Sequence, residues 1–238
     1  MGYLIEHETN MTVCWIQKCG CTLLKGIFYN LNTGDMYPDL LAIHNDKAAV
    51  ANIRYSPRRY GPRDESKSFV VMREPTARFL SFYWDKVYSH APYASDSARG
   101  ALERRARVKS PDFEGFDRSD DLSLDGHVAN LHALLDGLEV SFARWEKLRQ
   151  DKHYMRQSVA IDLDEASDCT RIRLESFRDG VPASLAAASP RFSEAFEKMP
   201  HANESVKKYK NSEVLDDEIL ARVRDLYSKD FEMYEGIG

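Results

Sequence analysis

The sequence predicts an α/β protein with a central, mostly parallel sheet flanked by helices. Three observations predict it. Short apolar runs of strand length recur at Met11–Ile16, Leu40–Ile43, Ser68–Met72 and Arg171–Leu174. Stretches with apolar residues at helical spacing lie between them and after them. Two of the runs end directly in loops rich in Lys, Gly, Thr or Arg, where open parallel sheets bind ligands.

Met11–Ile16 is a buried-strand candidate followed by the tight loop Gln17–Thr22. Leu23–Leu31 is then a helix, with Leu24, Ile27, Phe28 and Leu31 on one face. Leu40–Ile43 is taken as a second strand, ending at His44. Ser56–Lys67, with two prolines, a glycine and many charges, is a loop. Ser68–Met72 is a third strand, broken by Arg73-Glu74-Pro75, and Pro75 suits the first turn of the aromatic-rich helix Thr76–Tyr88. Ala91–Asp125 is charged and weakly periodic, a mobile loop or short helices. Val128–Leu138 and Phe142–Leu148 are two helices, Arg171–Leu174 is a fourth strand with Glu175 at its end, and Asp216–Met233 is one amphipathic helix.

The 238 residues fit one domain, 1–238, with a lid or acceptor-recognition insert at about 89–126. A composition of 43% hydrophobic and 30% charged residues is ordinary for a globular chain. The net charge of −5 argues against a general nucleic-acid binder. Between Arg54 and Lys109, however, 13 Lys/Arg face 6 Asp/Glu, a local excess of +7 that suggests an anion site. The four cysteines (Cys14, Cys19, Cys21 and Cys169) do not form a secreted disulfide pattern, since Cys19 and Cys21 are too close for an ordinary bridge. No basic-then-apolar leader and no run of 18 apolar residues occurs, so the chain is expected to be soluble and cytoplasmic, without a transmembrane segment. Nothing in the sequence fixes the oligomeric state.

The loop Gln17–Thr22 is chemically suited to phosphate. The N–H groups of a helix start point at an anion, and the helix dipole favours it. Gly20 permits a positive φ or close backbone approach. Lys18 supplies a point charge, Thr22 a hydroxyl donor, and Lys25 lies one turn into the helix. The spacing is not that of a Walker loop. A zinc site from Cys14, Cys19 and Cys21, a nucleophilic Cys19 or Cys21, and an ordinary strand–helix turn remain open as alternatives. The second element is Arg73-Glu74-Pro75-Thr76-Ala77-Arg78-Phe79-Leu80-Ser81. Arg73 ends a strand, while Arg78 and Ser81 share a helix face, and together they suit a second phosphate if that helix folds back over the strand end. A surface ion pair for Arg78 and a packing role for Ser81 compete with that reading.

These residues resemble the sulfotransferases that use 3′-phosphoadenosine 5′-phosphosulfate (PAPS), in particular the carbohydrate group with the chondroitin and HNK-1 enzymes and their bacterial relatives. The resemblance rests on Lys18-Cys19-Gly20-Cys21-Thr22-Leu23-Leu24-Lys25 and on Arg73-Glu74-Pro75-Thr76-Ala77-Arg78-Phe79-Leu80-Ser81-Phe82-Tyr83. It continues through His153-Tyr154-Met155-Arg156-Gln157, Arg173-Leu174-Glu175, His201–Ser205 and Leu226–Phe231, so it spans about residues 11–235. Gln17 stands where the group usually has proline and Leu24 where it often has tryptophan, and Tyr88–Gly126 has no counterpart.

The resemblance implies a P-loop-like sulfotransferase fold. It implies that Lys18, Cys19, Gly20, Cys21, Thr22 and Lys25 hold the 5′-phosphosulfate, and that Arg73 and Ser81 hold the 3′-phosphate with Arg78 nearby. The product would be adenosine 3′,5′-bisphosphate, the reaction in-line transfer to an acceptor hydroxyl, and no metal would be needed. A sugar or glycan acceptor is favoured by the resemblance alone; a bacterial polysaccharide, a lipid-linked sugar, a small metabolite and a tyrosine-containing peptide stay open. A histidine is the expected base. His44 comes first, because a histidine after this strand serves in related heparan-type enzymes; His153 is second and His201 third, while Glu175 is more in keeping with a structural or acceptor-binding role. The alternatives are a P-loop-like kinase or nucleotide hydrolase, which should carry a Walker loop and a metal-holding Asp, and a non-catalytic nucleotide- or glycan-binding relative.

Overall fold

The computed structural model describes residues 2–89, 96–144, 151–163, 165–200 and 209–237. In chain order the elements are β1 (Gly2–Ile5), β2 (Thr12–Trp15), α1 (Cys21–Thr33), α2 (Lys47–Ile53), α3 (Pro57–Tyr60), β3 (Ser68–Met72) and α4 (Pro75–Phe82). There follow α5 (Asp96–Lys109), α6 (Leu124–Arg144), α7 (Gln157–Leu163), β4 (Thr170–Arg173), α8 (Ala183–Ala188), α9 (Arg191–Glu197), α10 (Asp217–Leu226) and α11 (Ser228–Glu235). They fall into two compact units. A sheet unit comprises Met1–Glu74, Gln157–Asn203 and Met233–Gly238, and a helical unit comprises Pro75–Arg156 and Glu204–Glu232.

The sheet unit holds one four-stranded sheet of order β1-β2-β3-β4. β2, β3 and β4 run parallel, and β1 pairs antiparallel with β2. The fold is therefore α/β with a mostly parallel sheet, as the sequence predicts. All five residues of β3 are buried, as expected for a central parallel strand covered on both faces. Val13, Phe69, Val71 and Ile172 pack in one cluster with Leu24, Ile27, Phe28 and Leu31 of α1 and with Leu185 and Phe192 of the α8–α9 pair. The 3.6-residue stripe read along Leu23–Leu31 is thus the face of α1 that covers the sheet.

Leu40–Ile43 is not a strand, which corrects the sequence reading. The Asp39 carboxylate accepts from the N–H groups of Leu41 (3.0 Å) and Ala42 (3.3 Å), and this Asx turn winds Ala42–His44 into a 3₁₀ turn. The apolar run is explained by packing, since Leu40 joins the cluster beneath α1. The sheet's further strand is β1, which pairs Tyr3 with Cys14 and Leu4 with Val13.

The helical unit buries Phe79, Leu80, Tyr83 and Trp84 with Leu131, Leu134, Leu135 and Leu138 of α6 and with Ile219, Val223 and Leu226 of α10. Three readings differ here. The helix expected to reach Tyr88 is α-helical only to Phe82 and continues as a π-turn over Tyr83–Tyr88. The two helices expected at Val128–Leu138 and Phe142–Leu148 are one, α6, running through Gly137 to Arg144; residues 145–150 lie outside the described ones. The helix expected over Asp216–Met233 breaks at Tyr227, which is buried and donates its hydroxyl to the Tyr154 carbonyl at 3.1 Å. Within the stretch read as loop or short helices, α5 is a 14-residue helix. Among its described side chains the buried stripe is Ala98, Leu102 and Ala106, two of them too small to register as a hydrophobic period.

Gly137 sits where α5 and α6 touch backbone to backbone. A Cβ there would lie 2.7 Å from the Leu102 carbonyl oxygen. Gly→Ala inside a helix ordinarily stabilises by about 1 kcal/mol, but here the clash is with a main-chain atom that cannot rotate away. Gly137→Ala is therefore expected to lower stability by about 1–3 kcal/mol in denaturant unfolding; a gain would show that α5 yields freely.

Candidate functional site

The site is built in the sheet unit, at the carboxyl ends of β2 and β3. After β2 the chain turns sharply into α1, with both Lys18 (φ 69°) and Gly20 (φ 72°) left-handed. Cys19 N–H closes the turn on the Ile16 carbonyl at 3.1 Å. A non-glycine residue in this region costs on the order of 1 kcal/mol, so Lys18 is held there by its surroundings. Glycine is favoured at position 20 by its positive φ; a Cβ would also come within 2.6 Å of a Leu174 methyl, which would have to turn aside. Gly20 caps α1 with no side-chain hydrogen bond, and the first turn holds no acidic residue. A 13-residue helix that begins this way, at a left-handed glycine with no side-chain cap, fits a bound anion.

The loop after β3 is tied to the first loop by a residue not assigned a role from sequence, Gln157. This side chain is fully buried at the start of α7. Its Oε1 accepts from the Cys19 thiol (3.1 Å) and from the Arg73 N–H (2.9 Å), while its Nε2 donates to the Arg73 carbonyl (2.8 Å). Arg73 returns the link, its guanidinium donating to the Lys18 carbonyl at 3.1 Å. One amide thus holds both peptide groups of Arg73 and the thiol of Cys19. Glu175, just past β4, accepts from the Glu74 N–H (3.2 Å) and from the Tyr234 hydroxyl (2.7 Å). Burial, then the Glu175 carboxylate, pushes the Tyr234 phenol well above its ordinary range, which keeps it a donor.

His44 joins the same site from its 3₁₀ turn. Its Nε2 lies 2.8 Å from the Thr22 hydroxyl and its Nδ1 lies 2.7 Å from Lys25 Nζ. Lys25 is buried, with its ammonium 4.6 Å from the centre of the Trp15 ring. An ammonium can only donate, so Nδ1 is the accepting nitrogen; neutral His44 then carries its proton on Nε2 and donates to Thr22. The Thr22 hydroxyl proton is left to point toward a ligand at the helix start.

Of the residues expected at the donor site, Lys18, Cys19, Gly20, Cys21, Thr22, Lys25, His44 and Arg73 lie together in the sheet unit. Cys14, Cys19 and Cys21 do not converge, for the Cys19 and Cys21 thiols turn to Gln157 and Gln17, and among the described residues no group of three His, Cys, Asp or Glu could hold a metal ion.

Arg78, Ser81 and His153 belong to the helical unit. Arg78 is buried on α4 and donates to the Lys152 carbonyl at 3.4 Å; Ser81 is half-buried on the same helix. His153 Nδ1 lies 2.7 Å from the Asp151 carboxylate. Burial works to raise the Asp151 carboxyl, but the hydrogen bonds from the His153 ring and N–H outweigh it and hold Asp151 below the usual carboxylate range. His201 lies outside the described residues.

Comparison with known proteins gives one match. The model of a family described as the sulfotransferase family matches residues 1–235. No curated protein and no solved structure matches the chain. Among the described residues, no helix is long and apolar enough to cross a membrane.

Proposed function

Since the chain belongs to the sulfotransferase family, we propose that it transfers the sulfuryl group of PAPS to a hydroxyl of a carbohydrate. The observation that carries this reading is the pair of anion loops at the ends of β2 and β3, joined through Gln157 and flanked by the Thr22–His44–Lys25 chain. A helix start without a side-chain cap, two lysines and Arg73 suit the two anionic ends of this donor. The 5′-phosphosulfate belongs with Lys18, the loop N–H groups, Thr22 and Lys25. Arg73 is assigned to the 3′-phosphate.

In the reaction the bond from sulfur to the bridging phosphate oxygen breaks as the bond from the acceptor oxygen to sulfur forms. The negative charge that collects on the bridging oxygen is met by Lys18 and the helix start. His44 takes the acceptor proton. For that, one ring nitrogen must exchange its present partner for the acceptor hydroxyl, and Nδ1 is released when the Lys25 ammonium turns to the sulfuryl oxygens.

A thermal-shift comparison tests the donor reading directly. Adenosine 3′,5′-bisphosphate at 100 times its Kd should add about 2.7 kcal/mol to the folded state. ADP, which lacks the 3′-phosphate read by Arg73, should shift the melting temperature much less. Equal shifts would sink the assignment of Arg73. Transfer of label from PAPS to a carbohydrate panel then tests the reaction itself.

A further inference from the structure

We infer that the arginine-bearing turn around α3, with the cavity beside it, is a second binding site, for an acidic polysaccharide. The inference rests on the carbohydrate-acceptor reading above and extends it to a polymeric acceptor. Arg54–Lys67 carries five Lys/Arg against two carboxylates, Asp64 and Glu65, in a chain whose net charge is −5. Arg54, Arg58 and Arg59 are exposed, and among the described residues none of the three forms an ion pair. Such a patch draws polyanions.

The backbone of the turn is braced at several points, so the arginines project from a defined main chain. Tyr55 N–H donates to the Tyr3 carbonyl at 2.9 Å, and the Tyr55 hydroxyl to the Gly61 carbonyl at 2.5 Å. Pro57 opens α3, and Tyr60 stacks on His7 (5.4 Å) and on Tyr55 (6.2 Å). Burial and the Arg59 charge keep His7 below its ordinary range, so it stays a neutral partner for the Tyr60 hydroxyl at 2.9 Å. A pre-arranged cationic turn loses little freedom when it binds.

Beside this turn is a cavity of about 120 Å³, lined in part by Thr9, Asn10, Tyr60, Arg63 and Lys67, and also by Asp64, whose carboxylate is engaged by the N–H and hydroxyl of Ser66. Lys67 donates to the Thr9 carbonyl (3.2 Å), and Arg63 donates to the Glu165 carbonyl (2.8 Å) and the Cys169 sulfur (3.3 Å) with its guanidinium over the Tyr3 ring at 4.1 Å. Each has further N–H donors to offer. The cavity suits one sulfate or carboxylate substituent rather than a chain, leaving the chain to run across Arg58 and Arg59.

The location sets the length such an acceptor needs. Thr12 also lines the cavity, and it opens β2, whereas the anion loop follows the other end of that strand. The four residues of the strand set its two ends about 10 Å apart. An acceptor held here by charge while another of its hydroxyls meets the donor must span at least that distance, as a sugar chain can. Single-stranded nucleic acid would look for free aromatic faces, and Tyr60 already stacks on both His7 and Tyr55.

The test measures binding of the whole protein to heparin at low salt, beside the double variant Arg58→Gln/Arg59→Gln. Both side chains are exposed, so the fold should survive, and an unchanged melting temperature checks that. The wild type should bind heparin and release it as salt rises, the variant about tenfold more weakly, and desulfated heparin poorly. The Kd for adenosine 3′,5′-bisphosphate should not change, nor should the KM for a short oligosaccharide acceptor. No heparin binding by the wild type, or equal binding by the variant, would overturn the second site while leaving the donor reading intact. Equal affinity for single-stranded DNA of matched charge would overturn the polysaccharide assignment in favour of a general polyanion surface. Loss of bisphosphate binding by the wild type would strike the proposed reaction instead.

Discussion

Replacing His44 by alanine is expected to slow sulfuryl transfer by about 10²–10⁴-fold at neutral pH, with adenosine 3′,5′-bisphosphate still bound. The geometry complicates that variant, because it removes the acceptor that lies 2.7 Å from the buried Lys25 ammonium. A stability loss of about 1–3 kcal/mol should accompany it. His44→Asn separates the two effects. The asparagine carbonyl can accept from Lys25 in place of Nδ1, so stability should recover, but an amide takes no proton at neutral pH and the rate should stay low. If His44→Asn transferred at near the wild-type rate, the base would lie elsewhere. His153 would be next, since donation of its Nδ1–H to Asp151 at 2.7 Å leaves Nε2 available.

Lys18→Ala should cost about 10²–10³ in kcat, with little change in affinity for the nucleotide product. The effect is asymmetric because charge on the bridging oxygen appears only as the sulfuryl group departs. The backbone supplies a control. Lys18 is left-handed at φ 69°, so Lys18→Ala keeps the strain, whereas Lys18→Gly removes charge and strain together. Both variants should lose the same rate, and only the glycine should gain stability. A raised KM with a normal kcat in either would mean that Lys18 only binds.

Much of this site was legible in sequence because its parts are local. β2, the turn and the α1 stripe lie within one window, and Gly20 and Lys18 are the kind of residue a tight anion loop demands. Pro75 marked the end of the second loop. The element carrying His44 was misread because an apolar run of four residues fits a strand or a packed turn equally well. Asp39 was the available turn signal. β1 has four residues, too few for a pattern. Gln157 was legible only as part of a resembling motif. Its partners lie 138 and 84 residues away, and no local window contains an amide and the peptide groups it will bind.

That same separation sets an order in time. A chain emerging from the ribosome completes β1, β2, α1 and β3 by Met72, so the apolar half of the sheet can collapse early. Until Gln157 is synthesised, the N–H and carbonyl of Arg73 lack the amide that later holds them, and β3 lacks β4 as its neighbour. Closing a loop of this length is slow and entropically costly. Nucleotide present during refolding should therefore act late, stabilising the finished state rather than hastening its formation.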